Sequence, residues 1–454
     1  METKIPCYIK FKTKKERTYI YDDVTGLVFP CPDGSLNNNI SMYAKNKWGS
    51  FYRSHDWLKP THLWTGNDLK NMVLHWPIYQ MFLIVTEDCN MRCKYCAFSG
   101  EHRFHRNYSK SKMSWDIAKK AIDLWLSISN ERDNIGIALP PILSFYGGEP
   151  LLNWDVINLS IDYARTFRND CEISFTTNAT LLTDEIISKI VHSKINITIS
   201  LDGPQILHDA NRVFANGAGT FEFVMKNIKK LISAWNEYWG EQFRVPIICC
   251  INKTTDLNML VNFFNDYRDI LNVVRLQTVD VYGTHFYDDF SPEELDTYYN
   301  GFKQIINNIM SGRGTIFEKK VIENTLYLID QRNIINVSNI GNTCPPGAKM
   351  AVDTNGLIHM CEKVNANYPF GNINLGIDWD KAATLLNLYL EARYKNCSLC
   401  KVTRLCPSCF SAWVTDSKKL EINTDLCNDI KRNVITYLTL LYDMMEEGIM
   451  PWWN

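Results

Sequence analysis

MFLIVTEDCNMRCKYC, residues 81–96, runs from a short apolar segment straight into three cysteines, Cys89, Cys93 and Cys96. A continuous apolar run of this length suits a parallel β-strand covered on both faces. Five further runs of the same kind follow: ILSFYG (142–147), EISFTT (172–177), NITISL (196–201), PIICCI (246–251) and VVRLQTV (273–279). Helix-like stretches separate them. SWDIAKKAIDLWLSI (114–128) opens on Ser114 as an N-cap, with Asp116 in its first turn and an apolar stripe of Ile117, Ala121, Ile122, Leu124 and Trp125. TDEIISKIV (183–191) also opens with a cap, and FEFVMKNIKKLISAW (221–235) is amphipathic. Such alternation predicts a parallel α/β fold, either an open barrel or a doubly wound sheet. Chemistry then belongs at the C-terminal ends of the strands, where the cysteine triplet stands.

Iron–sulfur clusters are usually held by four thiolates. Three cysteines on one loop can wrap a cubane and leave its fourth iron open to a ligand, whereas a fully ligated cluster only passes electrons. A zinc site is the alternative reading, but zinc normally wants a fourth Cys or His, and the next candidates are His102 and His105.

The whole chain has 454 residues, 46% hydrophobic and 22% charged, which predicts two or three domains with a core of ordinary size. Its 48 basic and 50 acidic residues leave a net charge of −2, which argues against a nucleic-acid partner. METKIPCYIKFKTKKERTYIYDD at the start has no apolar core of signal-peptide length, and no run approaches the roughly 18 apolar residues of a membrane helix. A cytoplasmic protein without a membrane partner is expected. In a reducing compartment its 15 cysteines point to metal or redox chemistry rather than disulfides. Ten of them fall into two groups. Of the others, Cys171, Cys249 and Cys250 lie in or beside strand-like runs and read as packing residues.

The second group contains Cys344 and Cys361, then Cys397, Cys400, Cys406 and Cys409 as CxxCx5CxxC, and Cys427. A pair of zinc ribbons is one reading of these spacings. Boundaries follow: an N-terminal α+β extension (1–80) with two or three short strands, turns at Val24–Gly26 and Pro32–Gly34, and a connector carrying Trp48, Trp57, Trp64 and Trp76; the strand–helix core (81–286); a helical linker (287–335); and a cysteine-rich domain (336–454).

Cys89-Asn90-Met91-Arg92-Cys93-Lys94-Tyr95-Cys96 resembles the signature of radical S-adenosylmethionine (SAM) enzymes, which includes the aromatic before the last cysteine. Tyr146-Gly147-Gly148-Glu149-Pro150, after the second strand, is similar to the family's GGE motif, whose backbone receives the SAM amino group. Thr177-Asn178-Ala179 follows the third strand and Ser200-Leu201-Asp202-Gly203-Pro204 the fourth, with Arg212 twelve residues past Ser200. The resemblance spans about residues 80–285 and implies a partial (β/α)6, TIM-like barrel. It implies a 4Fe–4S cluster on Cys89, Cys93 and Cys96 with SAM on the open iron. SAM contacts would come from Tyr95, Gly147, Gly148, Glu149, Asn178, Ser200, Asp202, Arg212 and Leu276. Ser200 and Arg212 would hold the ribose and carboxylate, and Leu276 the adenine. Reductive cleavage would give a 5′-deoxyadenosyl radical that abstracts a substrate hydrogen.

The second group resembles the SPASM domain, which carries two auxiliary 4Fe–4S clusters, although two residues rather than three separate Cys406 from Cys409. By that resemblance Cys397, Cys400, Cys406 and Cys427 ligate an outer cluster, and Cys344, Cys361 and Cys409 an inner one. The fourth inner ligand is left open between a side chain, water and the substrate. SPASM enzymes act mostly on peptides or proteins, which implies a precursor peptide with a leader and an electron donor such as flavodoxin or ferredoxin. Peptide maturases forming thioether or carbon–carbon crosslinks are the nearer subclass by the order CEKVNANYPFGNI. Sulfatase-maturing enzymes are the alternative. They place an Asp base after the second SPASM cysteine, where this chain has Glu362. Asp280, Tyr282 and His285, just past the sixth strand, are further pocket candidates, with Glu362 and Asp280 as possible bases. Residues 1–80 are read as a leader-recognition element or as a packing extension. A purely electron-transferring iron–sulfur protein is the third class.

Overall fold

The computed structural model describes residues 8–31, 58–99, 106–137, 139–279, 284–330, 340, 343–415 and 419–450. Six strands form its centre: β4 (Gln80–Thr86), β5 (Ile142–Gly147), β6 (Glu172–Thr177), β7 (Asn196–Ser200), β8 (Val245–Ile251) and β9 (Leu271–Thr278). Each pairs in parallel with the next in chain order. A doubly wound sheet reverses its strand order at a switch point. No reversal occurs here, so the winding is that of a barrel, and the sheet stays open with β9 at its edge.

The connecting helices start where the sequence placed them. Ser114 Oγ accepts from Ile117 N at 3.3 Å to cap Trp115–Asn134, and Thr183 Oγ1 accepts from Ile186 N at 3.2 Å to cap Asp184–His192. Burial along the strands refines the expectation of cover on both faces. On β8, Val245, Ile247, Cys249 and Ile251 are buried in the main core, while Pro246, Ile248 and Cys250 are half-buried. β6 and β7 alternate in the same way. One face packs on the helices, and the other lines a lumen.

The sheet continues beyond the barrel. β10 (Lys349–Val352) pairs in parallel with β4, with Lys349 opposite Gln80 and Val352 opposite Leu83. β11 (Leu357–His359), β12 (Gly371–Asn372) and β13 (Gly376–Ile377) extend it antiparallel into a single ten-stranded sheet. The 336–454 region is thus stitched into the sheet of the core, which no local pattern signalled, because pairing across more than 260 residues is a tertiary choice.

Residues 8–30 form a three-stranded antiparallel sheet, β1 (Tyr8–Lys12), β2 (Thr18–Asp22) and β3 (Leu27–Pro30). It sits on the cysteine-rich region. Buried Asp23 accepts from Thr403 N (2.9 Å) and Arg404 N (3.0 Å), and Tyr19 Oη donates to Glu446 at 2.8 Å. The helix Gly66–His75 packs on Trp379–Cys397, with Gly66 N donating to Asp380 at 3.1 Å. Cys7, the Pro32–Gly34 turn, Trp48 and Trp57 lie outside the described residues. Among those described, no helix is long and apolar enough to cross a membrane.

Candidate SAM and cluster site

The triplet loop leaves β4 and is held from two sides. A strand-like segment crosses it: Arg92 N donates to Val213 O (2.8 Å) and Lys94 N to Asn211 O (3.0 Å). From the other side Asn178 Nδ2 donates to Asn90 Oδ1 (2.9 Å), and Asn90 Nδ2 donates to Thr180 Oγ1 (2.8 Å). Met91, Cys93 and Tyr95 form a small apolar cluster of their own, with Phe214, Cys250, Val279 and Phe286 against it. Burial pushes the Cys89 thiol up to about 12 and the Cys93 thiol up to about 11. Thiolate ligation here therefore needs a cationic partner such as a metal centre. Among the described residues no three His, Cys, Asp or Glu side chains converge as a single metal ion requires. A cubane binds each thiolate to a different iron and makes no such demand.

Gly147 and Gly148 are packing necessities. At Gly147 (φ +141°) a Cβ would stand 1.9 Å from Thr86 O, and at Gly148 it would stand 2.1 Å from Asp88 O. Gly148 N donates to Thr86 O at 3.0 Å and Glu149 N to Asp88 O at 2.8 Å, so the GGE backbone is sewn to the start of the cysteine loop. Glu149 is buried and accepts from Leu151 N (3.1 Å), Thr177 Oγ1 (2.6 Å) and Asn178 N (2.8 Å). Its carboxyl, raised by burial and lowered by these bonds, ties the ends of β5 and β6 together.

Tyr95, Asp202 and Arg212 are all buried and meet directly. Tyr95 Oη donates to Asp202 Oδ2 and accepts from Arg212 Nη1 (2.8 Å), and Asp202 Oδ1 accepts from Cys250 N at 2.9 Å. Burial works against the Arg212 charge, but Tyr95, Cys93 and Asp202 more than offset it and raise its pKa further. Arg212 Nε is buried without a hydrogen-bond partner. An orphaned guanidinium donor beside a cysteine triplet suits a ligand carboxylate. Ser200 lies at the end of β7 on the lumen side, level with Ile248.

Leu276 is not brought to this cluster. It is level with Cys249, both are in the main core, and its carbonyl accepts from Asn324 on a covering helix. Val279, three residues on, packs by Tyr95 instead. Cys250 is the reverse correction: rather than core packing it lines the site, while Cys249 faces the helices. Adjacent strand residues point to opposite faces, so a Cys-Cys pair carried that signal.

Residues 83–241 match the Radical SAM superfamily domain. The chain is 22% identical over 338 residues to the radical SAM cyclopropyl synthase TigE of Paramaledivibacter caminithermalis, covering 71% of this chain and 63% of that one. It is 25% identical over 300 residues to a cysteine-type anaerobic sulfatase-maturating enzyme of Clostridium novyi, covering 61% and 71%. The fold is similar to native anSMEcpe with bound AdoMet and Cp18Cys peptide, with a TM-score of 0.57 at 18% identity over 81% of this chain and 98% of that one. The chain belongs to the radical SAM superfamily. It spans slightly less than two thirds of the synthase's length. For a radical SAM protein the implied cofactors are SAM and a 4Fe–4S cluster, and the triplet with the orphaned Arg212 donor fits them.

The second cysteine group divides in two around this radical SAM core. Cys397, Cys400, Cys406 and Cys427 line one pocket with Arg393 and Trp413, and Cys409 is not among its lining. Burial raises the thiols of Cys344 and Cys361, and nearby Cys409 adds to both. Glu362 is buried, with Lys349 Nζ 3.2 Å from Oε1 and 3.1 Å from Oε2. Tyr146 is within electrostatic reach of both regions. Burial raises its phenol first, then Glu362, Cys96 and Cys250, while Arg275 acts the other way. Asp280 and Tyr282 lie outside the described residues. His285 is 81% exposed and pairs with Asp288 at 2.9 Å, as a solvated loop residue does.

Proposed function

We propose that this chain is a peptide-modifying radical SAM enzyme that installs a crosslink in a ribosomally made precursor peptide, with a Cys-to-carbon thioether as the favoured product. The observation that carries this reading is that Tyr146 lies within electrostatic reach of both Cys96 and Glu362, the residue after Cys361. A peptide side chain in that lumen would touch both the SAM site and the Cys344–Cys361–Cys409 set.

Cys89, Cys93 and Cys96 would hold a 4Fe–4S cluster, which would supply the electron for reductive cleavage of SAM, and the two later cysteine sets would hold auxiliary clusters able to take up an electron beside the substrate. The chain's own residues hold and shield that space. Tyr95 and Arg212 orient the ligand, Phe214 and Phe286 exclude water, and Lys349 anchors Glu362 at the far wall. On this reading Cys344, Cys361 and Cys409 would supply three thiolates to the inner position, so a precursor cysteine could complete it while its sulfur is joined to carbon. β1–β3, docked beside Thr403, would receive the leader by strand addition. A flavodoxin or ferredoxin would deliver electrons.

The similarity to a cyclopropyl synthase supports a carbon–carbon version of the same reaction. The likeness to a sulfatase-maturating enzyme supports formylglycine formation less, because the carboxylate after Cys361 is a Glu engaged by Lys349.

Anaerobic reaction of the reconstituted protein with SAM, reductant and the peptide encoded beside its gene, followed by mass spectrometry, tests the proposal. A thioether shows as loss of two hydrogens and of one alkylatable thiol. Loss of two hydrogens with every thiol intact replaces it with a carbon–carbon bond. Absence of 5′-deoxyadenosine overturns the enzymatic reading.

A further inference from the structure

His208, on the short helix Gln205–Asn211, is fully buried and belongs to none of the motifs that carry the SAM resemblance. Its ring nitrogens are both engaged. Asp202 N lies 3.2 Å from Nδ1, and Thr220 Oγ1 lies 3.0 Å from Nε2. Thr220 Oγ1 in turn donates to the main-chain carbonyl of Arg212 at 2.7 Å.

These contacts assign the tautomer. A backbone N–H only donates, so Nδ1 is the acceptor and carries no proton. Burial, helped by the Arg212 charge, lowers the ring to about 2, so it is neutral and its proton is on Nε2. Nε2–H therefore donates to Thr220, which leaves the threonine hydrogen for Arg212 O. One direction satisfies every link.

The chain closes on itself. Asp202 accepts from Tyr95, Tyr95 accepts from Arg212 Nη1, and Arg212 O accepts from Thr220. Arg212 is gripped at both ends, its guanidinium by Tyr95 and its backbone by Thr220. Asp209 braces the same turn by accepting from Thr220 N (2.7 Å) and Phe221 N (2.9 Å). Gly219 is needed there, since a Cβ would stand 2.4 Å from Asp209 Oδ2. The stretch HDANRVFANGAGTF, 208–221, thus builds the support on which Arg212 rests.

We infer that His208 is a positioning residue for SAM binding, which through Thr220 sets the place from which Arg212 meets the ligand carboxylate. This rests on reading Arg212 as the carboxylate clamp. His208 touches neither ligand nor cluster.

The test is anaerobic calorimetry of SAM binding to the reconstituted full-length protein, with the cluster's electron paramagnetic resonance signal recorded before and after SAM. Asn places an acceptor where Nδ1 lies but has no group at Nε2, whereas Gln places a donor at Nε2. His208→Asn should weaken SAM about tenfold, or about 1.4 kcal/mol, and reduce the SAM-induced spectral change at unaltered iron content. His208→Gln should restore most of the affinity. Thr220→Val, which removes the same link from its other end, should match His208→Asn, and the double variant should be no worse than either. Wild-type affinity in His208→Asn overturns the inference, as does equal loss in the Asn and Gln variants. If His208→Asn does not fold, Thr220→Val decides alone: unchanged affinity overturns the inference. Arg212→Gln separates the underlying reading. If it binds SAM normally, the clamp assignment falls; if it loses SAM while His208→Asn and Thr220→Val do not, only the positioning role falls.

Discussion

The two cysteine regions are built by different means. In the barrel the thiols sit on one loop directly after β4, and the residues that meet them come from the ends of β5, β6, β7 and β8. Short hydrogen bonds between neighbouring strand ends hold the whole constellation, as Glu149 does for Thr177 and Asn178. In the second region the thiols come from a helix end, turns and the start of a long helix, and their support is remote. The Thr403–Arg404 turn between Cys400 and Cys406 is held by Asp23, 380 residues away. The first site is therefore a property of the fold's repeating geometry, while the second depends on three parts of the chain meeting.

That contrast can be broken most strongly at the thiols. Cys93→Ala should bring 5′-deoxyadenosine formation down to background, measured chromatographically after anaerobic incubation with SAM and dithionite. Cys409→Ala should leave that activity within about twofold yet abolish crosslinking of the peptide, read by mass spectrometry. Normal crosslinking in Cys409→Ala would remove the second region from the reaction.

Smaller changes sharpen it. Gly148→Ala forces a Cβ against the Asp88 carbonyl and should cost about 3 kcal/mol of stability in denaturant unfolding, together with SAM cleavage. Asp23→Ala removes the acceptor for the buried Thr403 N–H and the half-buried Arg404 N–H and should cost about 2 kcal/mol, while sparing SAM cleavage and loosening β1–β3 to limited proteolysis. Loss of SAM cleavage there would show that the regions are not separable.

The smallest effect is a pH slope. His208 folds neutral at about 2, against about 6.5 unfolded. Its contribution is complete above pH 6.5 and is lost as pH falls toward the folded value, because only the unfolded chain takes the proton. Below pH 6.5 the slope is about 1.4 kcal/mol per pH unit. Urea unfolding at pH 7, 6 and 5 should show wild type losing stability faster than His208→Asn, by about half that amount from pH 7 to 6 and close to all of it from pH 6 to 5. Asp202 and Arg212, the charged groups around it, are the same in both proteins. Parallel curves would mean that His208 is charged in the fold.

Much of the barrel was legible because its signals are local. Ser114 and Thr183 cap the helices they precede, and apolar runs became β4–β9 within two residues. The alternation that separates Cys249 from Cys250 was also present, but a continuous apolar run hid which face was a lumen. Leu276 falls in the main core because strand parity, shifted by the irregularity between Ile247 and Ile248, decides which side a residue faces. His208 had no local mark at all, for a single buried histidine in a polar stretch announces nothing until its two partners are known.

Spacing alone divided the cysteines into a triplet and a later group, because ligands to one centre crowd together wherever a loop supplies them. The sequence also determined six parallel strands in order, since each strand and each helix start is written within a few residues. Only the tertiary structure decided that β10 joins β4, that Asp23 braces Thr403, and that Tyr146 comes within electrostatic reach of both Cys96 and Glu362. Those contacts link residues far apart in the chain, and which of many possible long-range pairings forms is settled by packing and burial of the whole.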